Sequence, residues 1–111
     1  MRGLIRSRRA RVAVAGHSME PTLRDGDWLL VDPDAYSTAA PHPGDLAVAR
    51  DPRLDGRLVV KRVKSVEADG AIVLAGDHAA HREDDLRVTS ADVRGRPWFR
   101  YWPLRGFGRV R

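Results

Sequence analysis

Apolar residues in this chain fall into short runs separated by glycine, proline and aspartate, with the length of strands rather than helices. The candidates are residues 12–15, 28–32, 45–50, 58–66, 71–75 and 98–102. Segment 58–66 is the clearest, being rich in valine and alternating over part of its length. Asp69–Gly70 is a strong hairpin signal and makes 71–75 the returning strand. Pro21 and Asp25–Gly26 mark turns, 32–44 reads as a loop with three prolines, and 76–87 is polar and irregular. Ten glycines and seven prolines spread along the chain argue against long helices. The pattern predicts an all-β fold of about six short strands. Residues 1–11, with five arginines, read as a flexible basic arm, leaving 12–111 as a single domain.

Composition narrows the chemistry. A chain of 111 residues has room for one domain with an ordinary core. There is no cysteine, which excludes disulfides, a thiolate zinc site and a thiol nucleophile together. The net charge of +5 comes from 18 arginines and two lysines against 15 carboxylates. Such a surface is either simply solvated or attracted to nucleic acid, anionic lipid or an acidic peptide. No apolar run approaches the roughly 18 residues that span a bilayer, and none resembles the core of a secretory signal. The expectation is a soluble, cytoplasmic protein without a transmembrane segment.

With only two lysines, Lys61 draws attention. Alternation places Val59, Lys61 and Val63 on one face of segment 58–66, with Arg62 and Lys64 on the other, wet face. A lysine between two valines is a candidate for desolvation, which lowers its pKa towards neutrality. The alternative is a charged amine that snorkels to the sheet edge. Ser18 follows Gly16–His17, and its hydroxyl could be a nucleophile if a base and an oxyanion donor stood beside it. It could equally cap a turn, although Pro21 occupies the place where a capping box wants Glu or Gln.

The remaining constellations are weaker. His17 is adjacent to Ser18 and would point away from it in an extended chain, and no acid is placed to orient His42, His78 or His81 in a triad. His78 and His81 with Asp77 have loose metal-ligand spacing outside a helix, so no metal is assigned. Trp98, Phe99, Tyr101 and Trp102 among arginines suit either a nucleic-acid stacking surface or, more simply, the closing strand of a core.

Taken together, these segments resemble a known pattern. Residues 16–31, GHSMEPTLRDGDWLLV, resemble the nucleophile segment of the signal peptidase I-like and LexA-like serine–lysine peptidases. PGDLAV at 43–48 resembles that family's next strand, VVKRV at 59–63 its lysine segment, and AGDH at 75–78 its Gly-Asp-Asn box. RYWP at 100–103 closes the chain as in the small subgroup of nickel-type superoxide dismutase maturation proteases. The resemblance covers about residues 12–104, with every segment in the family's order.

The resemblance implies a compact, coiled antiparallel β-barrel in which Ser18 is the nucleophile and Lys61 its general base. Gly16, Ser18, Met19 and Pro21 would form the oxyanion and substrate cleft, with the Ser18 N–H as donor. The implied activity is a serine endopeptidase needing no cofactor, which removes a short N-terminal leader from a precursor, most specifically that of a nickel superoxide dismutase. The rival readings are a signal-peptidase-like or LexA-type peptidase with another substrate, and a non-catalytic basic β-barrel binding nucleic acid or peptide; a nucleic-acid partner is not expected.

One departure stands out. Where the family has Asp-Ser-Arg after the Gly-Asp box, this chain has Asp84–Asp85–Leu86. An aspartate beside Lys61 would stabilise the ammonium and oppose a general base. Thr89 or Ser90 would then be the candidates for a supporting hydroxyl, with Asp77 and Asp85 as further supporting candidates.

Overall fold

The computed structural model describes residues 10–81 and 85–111. Among the described residues, eight strands form one antiparallel sheet: β1 Arg11–Ala13, β2 Trp28–Asp32, β3 Leu46–Asp51, β4 Arg57–Val66, β5 Ile72–Ala75, β6 Leu86–Val88, β7 Val93–Trp102 and β8 Gly108–Arg109. Their order across the sheet is β1-β2-β7-β3-β4-β5-β6, with β8 paired to β7. Only single 3-10 turns interrupt the strands and loops, so the fold is all-β as the pattern predicted.

The expected barrel does not close. Among the described residues no ladder joins β1 to β6, and the sheet is open at these two three-residue edges. It folds over on both sides of β3 instead. Ala47 and Ala49 meet Val63, Ile72, Leu74, Leu86 and Val88 in one core. Leu46 belongs to the other, with Val14, Met19, Leu23 and Leu29. Both faces of β3 are therefore buried, which is why 46–49 reads Leu-Ala-Val-Ala without polar alternation.

The long strand β7 joins the two halves. Five of its last seven residues pair with β2, with Trp98 and Tyr101 left out at register shifts, whereas Val93 and Gly95 pair with β3. Gly95 sits at the crossing, where a Cβ would lie 2.5 Å from the Asp32 carbonyl oxygen. Only glycine allows that approach.

Several boundaries differ from the sequence expectation. β1 begins at Arg11, so the proposed arm loses its last residue to the sheet, and residues 1–9 lie outside the described residues. β6 falls in a segment read as irregular, and β8 in the tail. The aromatic run of β7 does not close a core, because Trp98 and Trp102 are exposed.

Candidate active site

Ser18 lies on the loop between β1 and β2, and the loop is closed at its base by backbone pairing. Val14 N–H donates to the Asp27 carbonyl and Gly26 N–H to the Val14 carbonyl, both at 2.8 Å. Met19 and Leu23, joined by a Leu23 N–H bond to the Met19 carbonyl, insert into the second core. Burying two such side chains contributes about 1.5–3 kcal/mol each, which holds the loop down. Below it, Arg100 Nη1 donates to the buried Asp27 carboxylate at 2.8 Å and to the Thr22 carbonyl at 3.2 Å.

This loop presents Ser18 to β4. Lys61 Nζ lies 2.8 Å from Ser18 Oγ across 43 residues of sequence. Val59 and Val63 on either side of Lys61 pack against the first core, and Lys61 is half-buried between them. The distance suits proton transfer in either direction: an ammonium donates to Oγ, and a neutral amine accepts the hydroxyl proton. The Ser18 N–H has no acceptor among the described residues, so it is available to a developing oxyanion.

A third segment completes the site. His78 N–H donates to the Ser18 carbonyl at 2.9 Å, and Gly76 lies so close that a Cβ there would fall 2.5 Å from the same oxygen. Between them, Asp77 binds the two halves of the site together. It accepts from Thr22 Oγ1 of the serine loop at 2.5 Å and from Arg62 Nη2 and Nε of β4 at 2.7 and 3.1 Å. Arg62 Nη1 also holds the Gly44 carbonyl. Consecutive residues of β4 thus reach the same loop, Lys61 to the hydroxyl and Arg62 through Asp77. Arg62 is not the wet-face arginine that alternation suggested, since its side chain is only 23% exposed.

Burial pushes the Asp77 pKa up, but hydrogen bonds from Arg62 and Thr22 and the Arg62 charge outweigh it, leaving the carboxyl below its ordinary value. A depressed pKa means that the folded state favours the ionised form. The resulting stability is complete above the unfolded carboxyl pKa near 4 and is lost as pH falls through the folded value. Asp77→Asn is therefore expected to cost about 1–3 kcal/mol at pH 7. In denaturant titrations the gap between variant and wild type should narrow below about pH 4.

The other sequence candidates are placed as follows. Met19 is buried and lines a groove beside Ser18. Gly16 and Pro21 do not line it. The Gly16 N–H is bonded to Asp25 Oδ1 at 2.8 Å, and exposed Pro21 borders a separate depression with Arg100 and Pro103. Asp85 Oδ2 accepts from Lys64 Nζ at 2.7 Å. Asp84 lies outside the described residues. Thr89 hydrogen-bonds Asp92 through its backbone N–H and its hydroxyl, and exposed Ser90 begins the 3-10 turn before β7. The His17 ring pairs with Glu20 at 2.7 Å rather than with Ser18, and that contact raises the imidazole pKa.

The groove itself was not legible in the sequence. It is a cavity of about 230 Å³ walled by Val12, Val14, Val48, Leu58 and Val60, ending at Ser18 and Lys61. Its size suits side chains of an extended peptide better than a whole small-molecule ligand. β1, on its wall, has a free backbone edge among the described residues, which an extended chain could extend by strand addition.

The sequence matches the family described as signal peptidase, peptidase S26, over residues 4–98. It is 33% identical to mitochondrial inner membrane protease subunit 1 of Xenopus tropicalis over 119 residues, covering 87% of this chain and 71% of that protein. The human protein of the same name is 26% identical over 122 residues, covering 90% and 74%. Signal peptidase I U of Bacillus subtilis (strain 168) is 35% identical over 80 residues, covering 72% and 38%. No solved structure matches the chain significantly.

Proposed function

Because the chain belongs to the signal peptidase, peptidase S26 family, we propose that it is a serine endopeptidase with Ser18 as nucleophile and Lys61 as general base. The observation that carries this reading is the 2.8 Å contact between Lys61 Nζ and Ser18 Oγ at the end of an apolar groove. Neutral Lys61 takes the Ser18 proton as Oγ attacks the scissile carbonyl, and the Ser18 N–H stabilises the oxyanion. The resulting ammonium protonates the leaving amine, giving an acyl-enzyme and a free amino terminus. Lys61 then takes a proton from water, whose hydroxide attacks the ester, and returns it to Ser18.

The substrate we propose is the N-terminal leader of a precursor protein, specifically that of a nickel superoxide dismutase. The support is the RYWP segment at 100–103, which resembles the subgroup of nickel-type superoxide dismutase maturation proteases. Nickel would belong to the product, and the peptidase itself would need no cofactor. A cytoplasmic location goes with this proposal.

Co-expression with a nickel superoxide dismutase precursor, read by intact-mass spectrometry, tests it. Leader loss with wild type and none with Ser18→Ala is the expected result. An intact precursor beside folded wild type would sink this substrate and favour another precursor.

A further inference from the structure

Among the described residues, one ionisable side chain besides Lys61 lines the groove. Arg57, four residues before Lys61 on β4, stands among the apolar residues Leu54, Leu58 and Val59. Its cross-strand neighbour is Asp51, the natural acid to neutralise it. That carboxylate is already taken. It is buried and accepts three bonds from Arg53, from the backbone N–H at 2.8 Å, Nε at 3.2 Å and Nη2 at 3.1 Å. Those contacts, first among them the Arg53 hydrogen bonds, hold its pKa low. The remaining arginine of this hairpin end, Arg50, is paired with Asp92 at 3.6 Å. Asp55, in the turn, makes no ion pair among the described residues and does not line the groove. The Arg57 side chain is left with no hydrogen bond or ion pair among the described residues, at the end of the groove away from Ser18.

We infer that Arg57 selects an acidic side chain in the substrate, about four residues from the position that meets Ser18. The inference rests on the peptidase reading and names its substrate class. A guanidinium fork takes a carboxylate in a bidentate pair, and because Arg57 is exposed the pair has the modest strength of a surface ion pair. Arg57 and Lys61 lie on the same side of β4, on the order of 13 Å apart along the strand. An extended substrate beside β4 covers that distance in four residues and presents the same face at both points. The preferred peptide is therefore apolar along the groove and acidic four positions from the cleavage point. Among the described residues, no carboxylate lines the groove to receive a basic residue in the same place.

The test uses a fluorescent alanine-rich peptide with a single Glu, Gln or Lys walked along it. Binding is followed by anisotropy on the inert Ser18→Ala protein and cleavage on wild type. At one position Glu is expected to bind about fivefold more tightly than Lys, with the preference weakening in salt. Adding Arg57→Glu should invert that order, and Arg57→Gln should flatten it. Equal binding of Glu and Lys peptides at every position, or an unchanged order in Arg57→Glu, would overturn the inference. Charge-selective binding without cleavage by wild type would support it while contradicting the peptidase reading. Cleavage without charge selectivity would do the reverse.

Discussion

Ser18→Ala and Lys61→Met are each expected to reduce precursor cleavage by at least about 10³-fold, with the fold retained. The alanine removes the only atom that can attack. The methionine keeps most of the stem between Val59 and Val63 but takes away the nitrogen that lies 2.8 Å from Oγ. Because the two groups act in one step, the double variant should be no slower than either single one. Lys61→Arg separates base from charge. A guanidinium keeps the cation near the hydroxyl but does not shed its proton at working pH, so this variant should be as inactive as the methionine. Rates measured with a cleaved precursor, alongside thermal unfolding of each variant, check the prediction. Retained cleavage in Lys61→Arg would mean that the site needs a positive charge rather than a base.

The second large effect comes from a residue that takes no part in proton transfer. Gly76→Ala places a methyl group 2.5 Å from the Ser18 carbonyl oxygen and 3.2 Å from its Cβ. The obstacle is backbone and cannot swing aside as the tip of a long side chain would. Either the serine loop or the 75–78 segment must move, and the His78 N–H bond to the Ser18 carbonyl is strained with it. A displacement of about 1 Å at a nucleophile costs on the order of 10² in rate, and overpacking of this kind costs roughly 1–3 kcal/mol in stability. Gly76→Ala should therefore lower kcat far more than it raises KM, since the groove walls are untouched. An equal loss in a variant of Gly70, an exposed turn glycine, would show that general destabilisation is responsible.

Much of this was readable in the chain because local chemistry determined it. β4 appears where valine alternation put it, and the turn at Asp69–Gly70 returns the chain into β5. Other elements were hidden by their breakers. The first half of β7 contains Gly95 and Pro97, which discourage a strand reading, yet both are buried. Pro97 lies opposite Val31, and Gly95 sits where the strand crosses the end of β2. β6 is three residues long and emerges from a charged segment.

The site divides in the same way. Alternation could place Lys61 on an apolar face, and a glycine-rich approach could mark Ser18. Their meeting depends on a loop folding across 43 residues, which only the ordered match of several segments to a family pattern suggested. Arg62 was misread because its partners, Asp77 and through it Thr22, come from other loops. Asp85 was suspected of opposing the base for the converse reason. In sequence it stood in the right box, but in space Lys64 takes it. The groove and the Arg57 at its far end arise from walls supplied by β1, β3 and β4 together, and no single segment foretells them.

The central claim is that Lys61 activates Ser18 as the acyl-accepting atom. An activated peptide ester, mixed with the enzyme at neutral pH and quenched in acid within a turnover, tests it directly when the protein is digested and mapped by mass spectrometry. The acyl group is expected on Ser18 in wild type and absent from Lys61→Met. Acylation at another residue, or equal labelling of Ser18 in Lys61→Met, would contradict the serine–lysine mechanism.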